Sequence, residues 1–575
     1  MLKCTTLLVS ALLLGSCTAT FALQVGTARC TVVAANEPPA NEAEKDYRAG
    51  DWEAAAARYK NLLATHPDDP QLTAGTIQSL LKLGILDDAS TLASSAAAKD
   101  PKSAVLRTAL GEARFRDGQI GESEKDFYSA QQMDPCNARA RLGIGQVARA
   151  ESNYATSKQQ IQIAHTLNQA DPDIQSAWLA TLPLKERIAE LQAAVDHSGS
   201  VDNELTRFRR GYLDRLKRAQ ESESHHCEAN SSIDKTILPL IPTGIDATAM
   251  WNDSSKVSTW GLNVEINGKQ AHLLVDTGAG NIYIGKSFAS HAGLNSEEKI
   301  VVSGIGDQGP QSSFISHASS IKVGDITFSD CAVEVSDAHS VIGFDGLIGM
   351  DVFAQYLVTL DFPLHQIRLA PLPARPSEPA PTSELSTSST EDPGTAVSAD
   401  AGGGTTPRGP HDRYIAPEMR NYTEVFRFGH ELLIPTKLNQ GDPVLMMIDS
   451  GSYQTVVTKR ASAPFLHLFA TISDTRGIAG TVKRVYHGHL TLQFDHIQDV
   501  EPDIAVFEGL HPFGRGAGTE VSGLLGFPVL RQLIIDIDYR DGLVQFTHDP
   551  NHGDNRSKGL EPPCGGCKPT GYVQR

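Results

Sequence analysis

An apolar run that ends in an aspartate, a small hydroxyl residue and a glycine occurs twice in this chain. That recurrence limits the possible folds more than any other feature. The copies are LLVDTGAGNIYI, residues 273–284, and LMMIDSGSYQTVV, residues 445–457. Their aspartates, Asp276 and Asp449, lie 173 residues apart. Downstream landmarks keep step. Gly304-Ile305 and Gly477-Ile478 each begin 28 residues past their aspartate (304 − 276 and 477 − 449). An apolar-apolar-Gly element follows in both, GLIGMDVF with Gly349 and GLLGFPVL with Gly526. Twelve residues on (361 − 349 and 538 − 526), VTLDF and IDIDY carry Asp361 and Asp538. A chain that repeats so many intervals folds as two copies of one unit. Whatever stands at the end of the first apolar run has a counterpart in the other copy.

At 575 residues there is room for about three or four domains. A second periodicity occupies residues 44–180. Gly50, Gly84 and Gly118 are spaced by 34 (84 − 50 and 118 − 84), and Pro67, Pro101 and Pro135 keep the same step. A fixed period of this length means stacked supersecondary units. Between glycine and proline lie DWEAAAARYKNLLATHP, ILDDASTLASSAAAKDP and QIGESEKDFYSAQQMDP, each amphipathic. Proline cannot sit in a helix interior and ends each unit, while glycine serves the turn before it. A weaker fourth unit follows and looks slipped by a few residues before Pro172. Further helices are expected to close this region near Ser222.

From about Thr236 the period changes to two. WGLNVEINGKQAHLLVDTG suggests strand, tight turn at Asn267-Gly268, strand. The stretch from Pro371 to Asp412 is Pro, Ser, Thr and Gly with few large apolar residues, so it cannot build a core. The expected organisation is a helical domain over 40–222, a strand-rich unit over 235–372, a flexible linker over 373–412, a second strand-rich unit over 413–550 and a disordered tail over 551–575.

Residues 1–22 have one lysine, a short apolar core and then small residues, as an export signal does. LGSC, residues 14–17, resembles a bacterial lipobox and would put a lipid anchor on Cys17. TFA, residues 20–22, offers ordinary cleavage instead. Either route places the mature chain in the periplasm, at a membrane surface or outside the cell. The cysteines beyond the signal, Cys30, Cys136, Cys227, Cys331, Cys564 and Cys567, look too scattered for a disulfide framework. CGGC at 564–567 lacks the second pair that a closed zinc site needs, and nothing in the sequence brings HHC, residues 225–227, near it. A formal net charge of −18 argues against a nucleic-acid partner, which would need clustered lysine and arginine.

The helical region resembles tetratricopeptide repeats, on Gly50-Asp51-Trp52, Ala55, Tyr59 and Pro67, and again on Leu110-Gly111, Gly118, Phe127, Ala130 and Pro135. The two strand-rich units resemble aspartic proteases, in particular retropepsin-like lobes, on DTGA, DSGS, LIG and LLG. The fold class implied is multidomain: an all-α tetratricopeptide-type solenoid followed by two mainly-β aspartic-protease lobes. The resemblance implies Asp276 and Asp449 as the catalytic pair. Thr277, Gly278, Ser450 and Gly451 would support it, and Gly304, Ile305, Gly477 and Ile478 would lie in flaps. It implies no metal or organic cofactor.

Chemistry explains the doubling. Amide hydrolysis by water needs a base and an acid. Two carboxylates in contact share one proton, so one can serve as each. Glycine after each hydroxyl residue lets two backbones approach. Asp-Ser-Gly is also a common turn former, but a pair of ordinary turns leaves the shared spacing unexplained. Asp361 and Asp538, by contrast, are expected to be structural turn residues, and Tyr283 and Tyr453 packing residues. The partners expected are a peptide or protein substrate and a protein bound through the repeats. Pairing of the lobes within one chain is expected ahead of a dimer, which the linker also permits. The alternative reading is a non-catalytic peptide-binding scaffold in which the repeats carry the function.

Overall fold

A computed structural model describes residues 22–25, 28–198, 203–222, 227–229, 235–243, 259–295, 298–302, 311–336, 345–376, 411–465, 475–477, 480–482, 486–507, 510, 518–553 and 572–573. Among them, helices run from Glu42–Ala49 to Glu204–Ser222, and strands dominate thereafter. The chain is a helical repeat region followed by two β lobes. Cys17, Cys564 and Cys567 lie outside the described residues.

The 34-residue step is a steric requirement met again and again. Gly50, Gly84 and Gly118 have φ of 85°, 74° and 82°, the left-handed conformation that a side chain disfavours. The helices Trp52–Thr65, Leu86–Lys99 and Ile120–Met133 each end two residues before the periodic proline. Asp69, Ser103, Asn137 and Asp171, at the same step, accept hydrogen bonds from first-turn amides of the next helix. Such a cap stabilises by about 1 kcal/mol. The fourth unit corrects the sequence reading, because it has not slipped. Ser152 stands 34 residues after Gly118 (152 − 118) with φ 61°. A serine has taken the glycine's conformation, and that hid the repeat.

Side chains from five helices meet in one ion-paired network. Arg139 donates from Nε to Glu112 at 2.6 Å, from Nη1 to Asp171 at 2.6 Å and from Nη2 to Asp173 at 3.0 Å. Asp173 also accepts from Tyr47 OH at 2.6 Å and pairs with Lys82. Tyr47 and Asp173 are 126 residues apart, so the first helix and the ninth are drawn together. Removing one member of a largely buried ionic network leaves its partners uncompensated. Arg139→Met should therefore cost about 3–5 kcal/mol in denaturant unfolding of the full chain.

Each lobe is built on one motif. In lobe 1, Lys269–Asp276 runs parallel to Gly346–Gly349, with Asp276 opposite Gly349. In lobe 2, Pro443–Asp449 runs parallel to Gly523–Gly526, with Asp449 opposite Gly526. The apolar-apolar-Gly element is thus the strand beside the aspartate, buried at all four positions in both copies. Beneath the lobes a shared sheet is centred on Tyr356–Asp361 paired antiparallel with Ile534–Asp538. Thr359 faces Asp536 there and donates to its carboxylate across 177 residues. The same offset relates Asp361 to Asp538, so the pseudo-twofold passes through that pair. Asp361 caps the turn at Leu364 and meets His552 and Arg368, and Asp538 accepts from the Asp541 amide. Both have the structural role expected of them.

The helical region is not a detached neighbour. Phe115, Ile120, Phe127, Ile144 and Val147 share one apolar cluster with Leu433, Leu445, Met447, Val456, Phe507 and Leu524 of lobe 2. Arg460 bridges Asp87 and Asp117 of the repeats to Glu520. Alternate residues of the Pro443–Asp449 strand divide the work. Met446 and Ile448 face the lobe core, while Leu445 and Met447 face the helices. In lobe 1 the position equivalent to Leu445 is the exposed His272.

The reading that the cysteines are too scattered for a disulfide framework is overturned for four of them. Cys30 bonds to Cys136 and Cys227 to Cys331, at separations of 106 and 104 residues. The first ties the N-terminal strand Ala28–Thr31 to the turn between repeats. The second fixes Glu228–Ala229 onto the lobe 1 strand Ile326–Ser336. Partners this distant carry no local spacing signal and are set by tertiary approach alone. Cys227 is also thereby unavailable as a metal ligand.

Candidate active site

The ends of the two equivalent strands meet between the lobes. Thr277 Oγ1 donates to the Ile448 carbonyl at 2.8 Å and accepts from the Ser450 amide at 2.9 Å. Ser450 Oγ donates to the Val275 carbonyl at 2.9 Å and accepts from the Thr277 amide at 3.1 Å. Each hydroxyl therefore serves the opposite strand, and the four bonds obey the pseudo-twofold. Thr277 and Ser450 are both buried, so these groups have no water to turn to.

This junction brings the carboxyls of Asp276 and Asp449 into hydrogen-bond contact with each other. Glycine makes that approach possible. A Cβ on Gly451 would lie 2.3 Å from Asp276 Cγ, and one on Gly278 would lie 2.8 Å from Asp449 Cγ. Backbone amides aim the oxygens: Gly278 N–H reaches Asp276 Oδ1 at 2.9 Å, and Ser452 N–H reaches Asp449 Oδ1 at 2.9 Å.

The two carboxyls are not electrostatically equal. Burial raises both above the ordinary carboxylate range. On Asp276 the rise is opposed by the Gly278 amide, then by the hydrogen bond from Asp449 and the charge of His430. On Asp449 it is reinforced by the charge of Asp276, and the group lies well above its usual range. Asp449 is also the more enclosed, at 7% exposure, whereas Asp276 is half-buried. Titration belongs to the pair, but its environment favours the proton on Asp449.

The other sequence-predicted residues fall as follows. Gly477 ends the strand Thr475–Gly477, paired with Gly480–Val482 in a short hairpin. Gly304, Ile305 and Ile478 lie outside the described residues. Tyr453 is 46% exposed and is not the packing residue expected. Two residues close to the pair were not singled out from sequence. Asp351 accepts from the Asn281 amide at 2.9 Å, and His430 lies against Gly280. The aspartate follows Gly349 by two and was open to notice. The histidine sits at a hairpin tip remote in sequence, with no local signal.

Residues 262–352 match the aspartyl protease family model, and residues 47–113 match a tetratricopeptide repeat model. The chain matches no curated protein. It is similar to a solved tetratricopeptide repeat protein of Thermus thermophilus, at 20% identity over 31% of this chain and 97% of that one, with TM-score 0.26. It is similar to the aspartic proteinase of Irpex lacteus, at 11% identity over 55% and 97%, with TM-score 0.29. A retropepsin-like aspartic protease of Rickettsia conorii is 16% identical over 25% and 93%, with TM-score 0.17. The protease match ends at Val352, so the second copy, around Asp449, stands on its own geometry.

Proposed function

The chain carries an aspartyl protease domain behind N-terminal tetratricopeptide repeats, and from that premise we propose that it is an aspartic endopeptidase whose two lobes pair within one chain. The observation that carries the proposal is the contact between the Asp276 and Asp449 carboxyls across a junction in which every hydroxyl and amide is satisfied. Asp276 takes a proton from water as it attacks the scissile carbonyl. Asp449 gives its proton to the carbonyl oxygen to form a gem-diol; as the C–N bond breaks, the proton gained by Asp276 goes to the departing amide nitrogen and one gem-diol hydroxyl returns its proton to Asp449. The hairpin at Gly477 would cover bound substrate and exclude water. The repeats, a class that forms extended binding surfaces, would bring a protein partner to the lobes. Two disulfides support export to an oxidising compartment, by way of the signal at residues 1–22 and with or without a lipid on Cys17.

The test is incubation of the purified full chain with a diverse peptide library from acid to neutral pH, with product ends read by mass spectrometry. Internal cleavage is expected, fastest where Asp449 keeps its proton and declining as pH rises. A folded chain that yields no products at any pH overturns the reading. A finer probe is Gly451→Ala. Its Cβ would occupy the place of the Asp276 carboxylate, so kcat/KM should fall by about 10²-fold although both aspartates remain.

A further inference from the structure

Two departures from equivalence between the lobes meet at one side chain. Gly280 and Tyr453 each stand four residues past their aspartate, and Asp351 and Pro528 each stand two past the strand-end glycine. On the lobe 1 side, Gly280 adjoins His430, which lobe 2 supplies, and Asp351 lies within reach of that imidazole's charge. His430 and Gly429 form the tip of a hairpin whose strands are Phe426–Phe428 and Glu431–Leu438.

One flank of this hairpin faces the site. His430 Nδ1 lies 2.7 Å from where a Cβ on Gly280 would be, so the imidazole rests on bare backbone of the Asp276 loop. Any side chain at that position would push it off. The next amide, of Asn281, is held by Asp351 at 2.9 Å. The charge of His430 acts favourably on both the Asp276 and Asp351 carboxylates, and Arg427 on its own hairpin adds to the effect on Asp351. The other flank faces the repeats. Phe428 meets Phe115 edge-on at 6.4 Å. Arg427 Nη1 donates to the Tyr539 carbonyl at 2.6 Å and to the hydroxyl of Tyr154, the first residue of a repeat helix, at 3.4 Å. Its Nε donates to the Gly429 carbonyl at 2.8 Å, which ties the tip to the same anchor.

We propose that His430 is a positioning residue of the dyad: carried on a hairpin held from behind by the repeats, it braces the lobe 1 catalytic loop at Gly280 and so couples the helical domain to Asp276. Only the kinetic half of this proposal rests on the protease reading. The repeats then act on the site through a physical contact as well as by holding a partner. A partner that moves the helices carrying Phe115 or Tyr154 would move the brace.

The test is hydrogen exchange in the full chain, followed in peptides spanning residues 276–281, together with steady-state kinetics. His430→Ala should speed exchange at that loop by about tenfold. It should lower kcat by about 10- to 100-fold with KM near that of the wild type. His430→Asn, which keeps a planar hydrogen-bonding group, should recover part of both losses. Tyr154→Phe, changed from the repeat side, should speed exchange in the same loop by a smaller factor. Unchanged exchange in His430→Ala overturns the proposal whether or not the chain hydrolyses peptides. A higher KM at unchanged kcat also overturns it, by making His430 a substrate contact. Faster exchange in a protein whose wild type cleaves nothing supports the brace and removes the proposed function instead.

Discussion

Asp276→Asn and Asp449→Asn each lower peptide hydrolysis by about 10²–10⁴-fold, and the double variant is no slower than the slower single one. Groups that act as one unit do not lose their contributions additively. The same substitutions act the other way on stability. Both carboxyls are raised on folding, chiefly by burial. A group raised on folding stabilises the folded state below its unfolded pKa, and that contribution is lost as pH rises through the folded value. The wild type therefore loses stability at this site between acid and neutral pH. Asparagine does not titrate, so each variant gains on the wild type across that window. Thermal melts of the three proteins at stepped pH check the sign. A difference that shrinks towards neutral pH contradicts the raised values, and either single variant with full activity contradicts the shared dyad.

Much of this was legible because the requirements are local. The aspartate, hydroxyl and glycine of each copy lie in one tetrapeptide, and their strand-end neighbour keeps a fixed interval. The repeat was legible where glycine takes the left-handed turn and illegible at Ser152, where another residue accepts the same φ. The union of helices and lobe 2 had a sign that went unread. LMMI at 445–448 is apolar at four successive positions, which marks a strand covered on both faces. HLLV at 272–275 begins with a histidine that faces solvent. The disulfides and His430 were beyond reach for a different reason. Each acquires meaning only when segments more than a hundred residues apart are brought together, and a cysteine or a hairpin histidine carries no mark of its partner.

Thr277→Val has the second-largest expected effect, and it separates the junction from the chemistry. Valine keeps the shape of threonine and removes only the hydroxyl function. The Ser450 amide loses its acceptor and the Ile448 carbonyl loses a donor, both at a buried position. Each orphaned buried group costs about 1–3 kcal/mol, so the junction weakens by about 2–6 kcal/mol. Thr277→Ser restores both bonds and should behave close to the wild type, which distinguishes hydrogen bonding from packing. Ser450→Ala orphans the Thr277 amide and the Val275 carbonyl and should cost a similar amount, as the pseudo-twofold requires. Activity should fall further than stability does, because the carboxyls touch only while the lobes are closed. The weakened junction also reports how the lobes pair. If they pair within one chain, the residual specific activity of Thr277→Val is independent of protein concentration. If they pair between chains, it rises with concentration, and intramolecular pairing is wrong. Full stability and activity in Thr277→Val would mean that the lobes are held together elsewhere, with the shared sheet through Thr359 and Asp536 as the remaining joint.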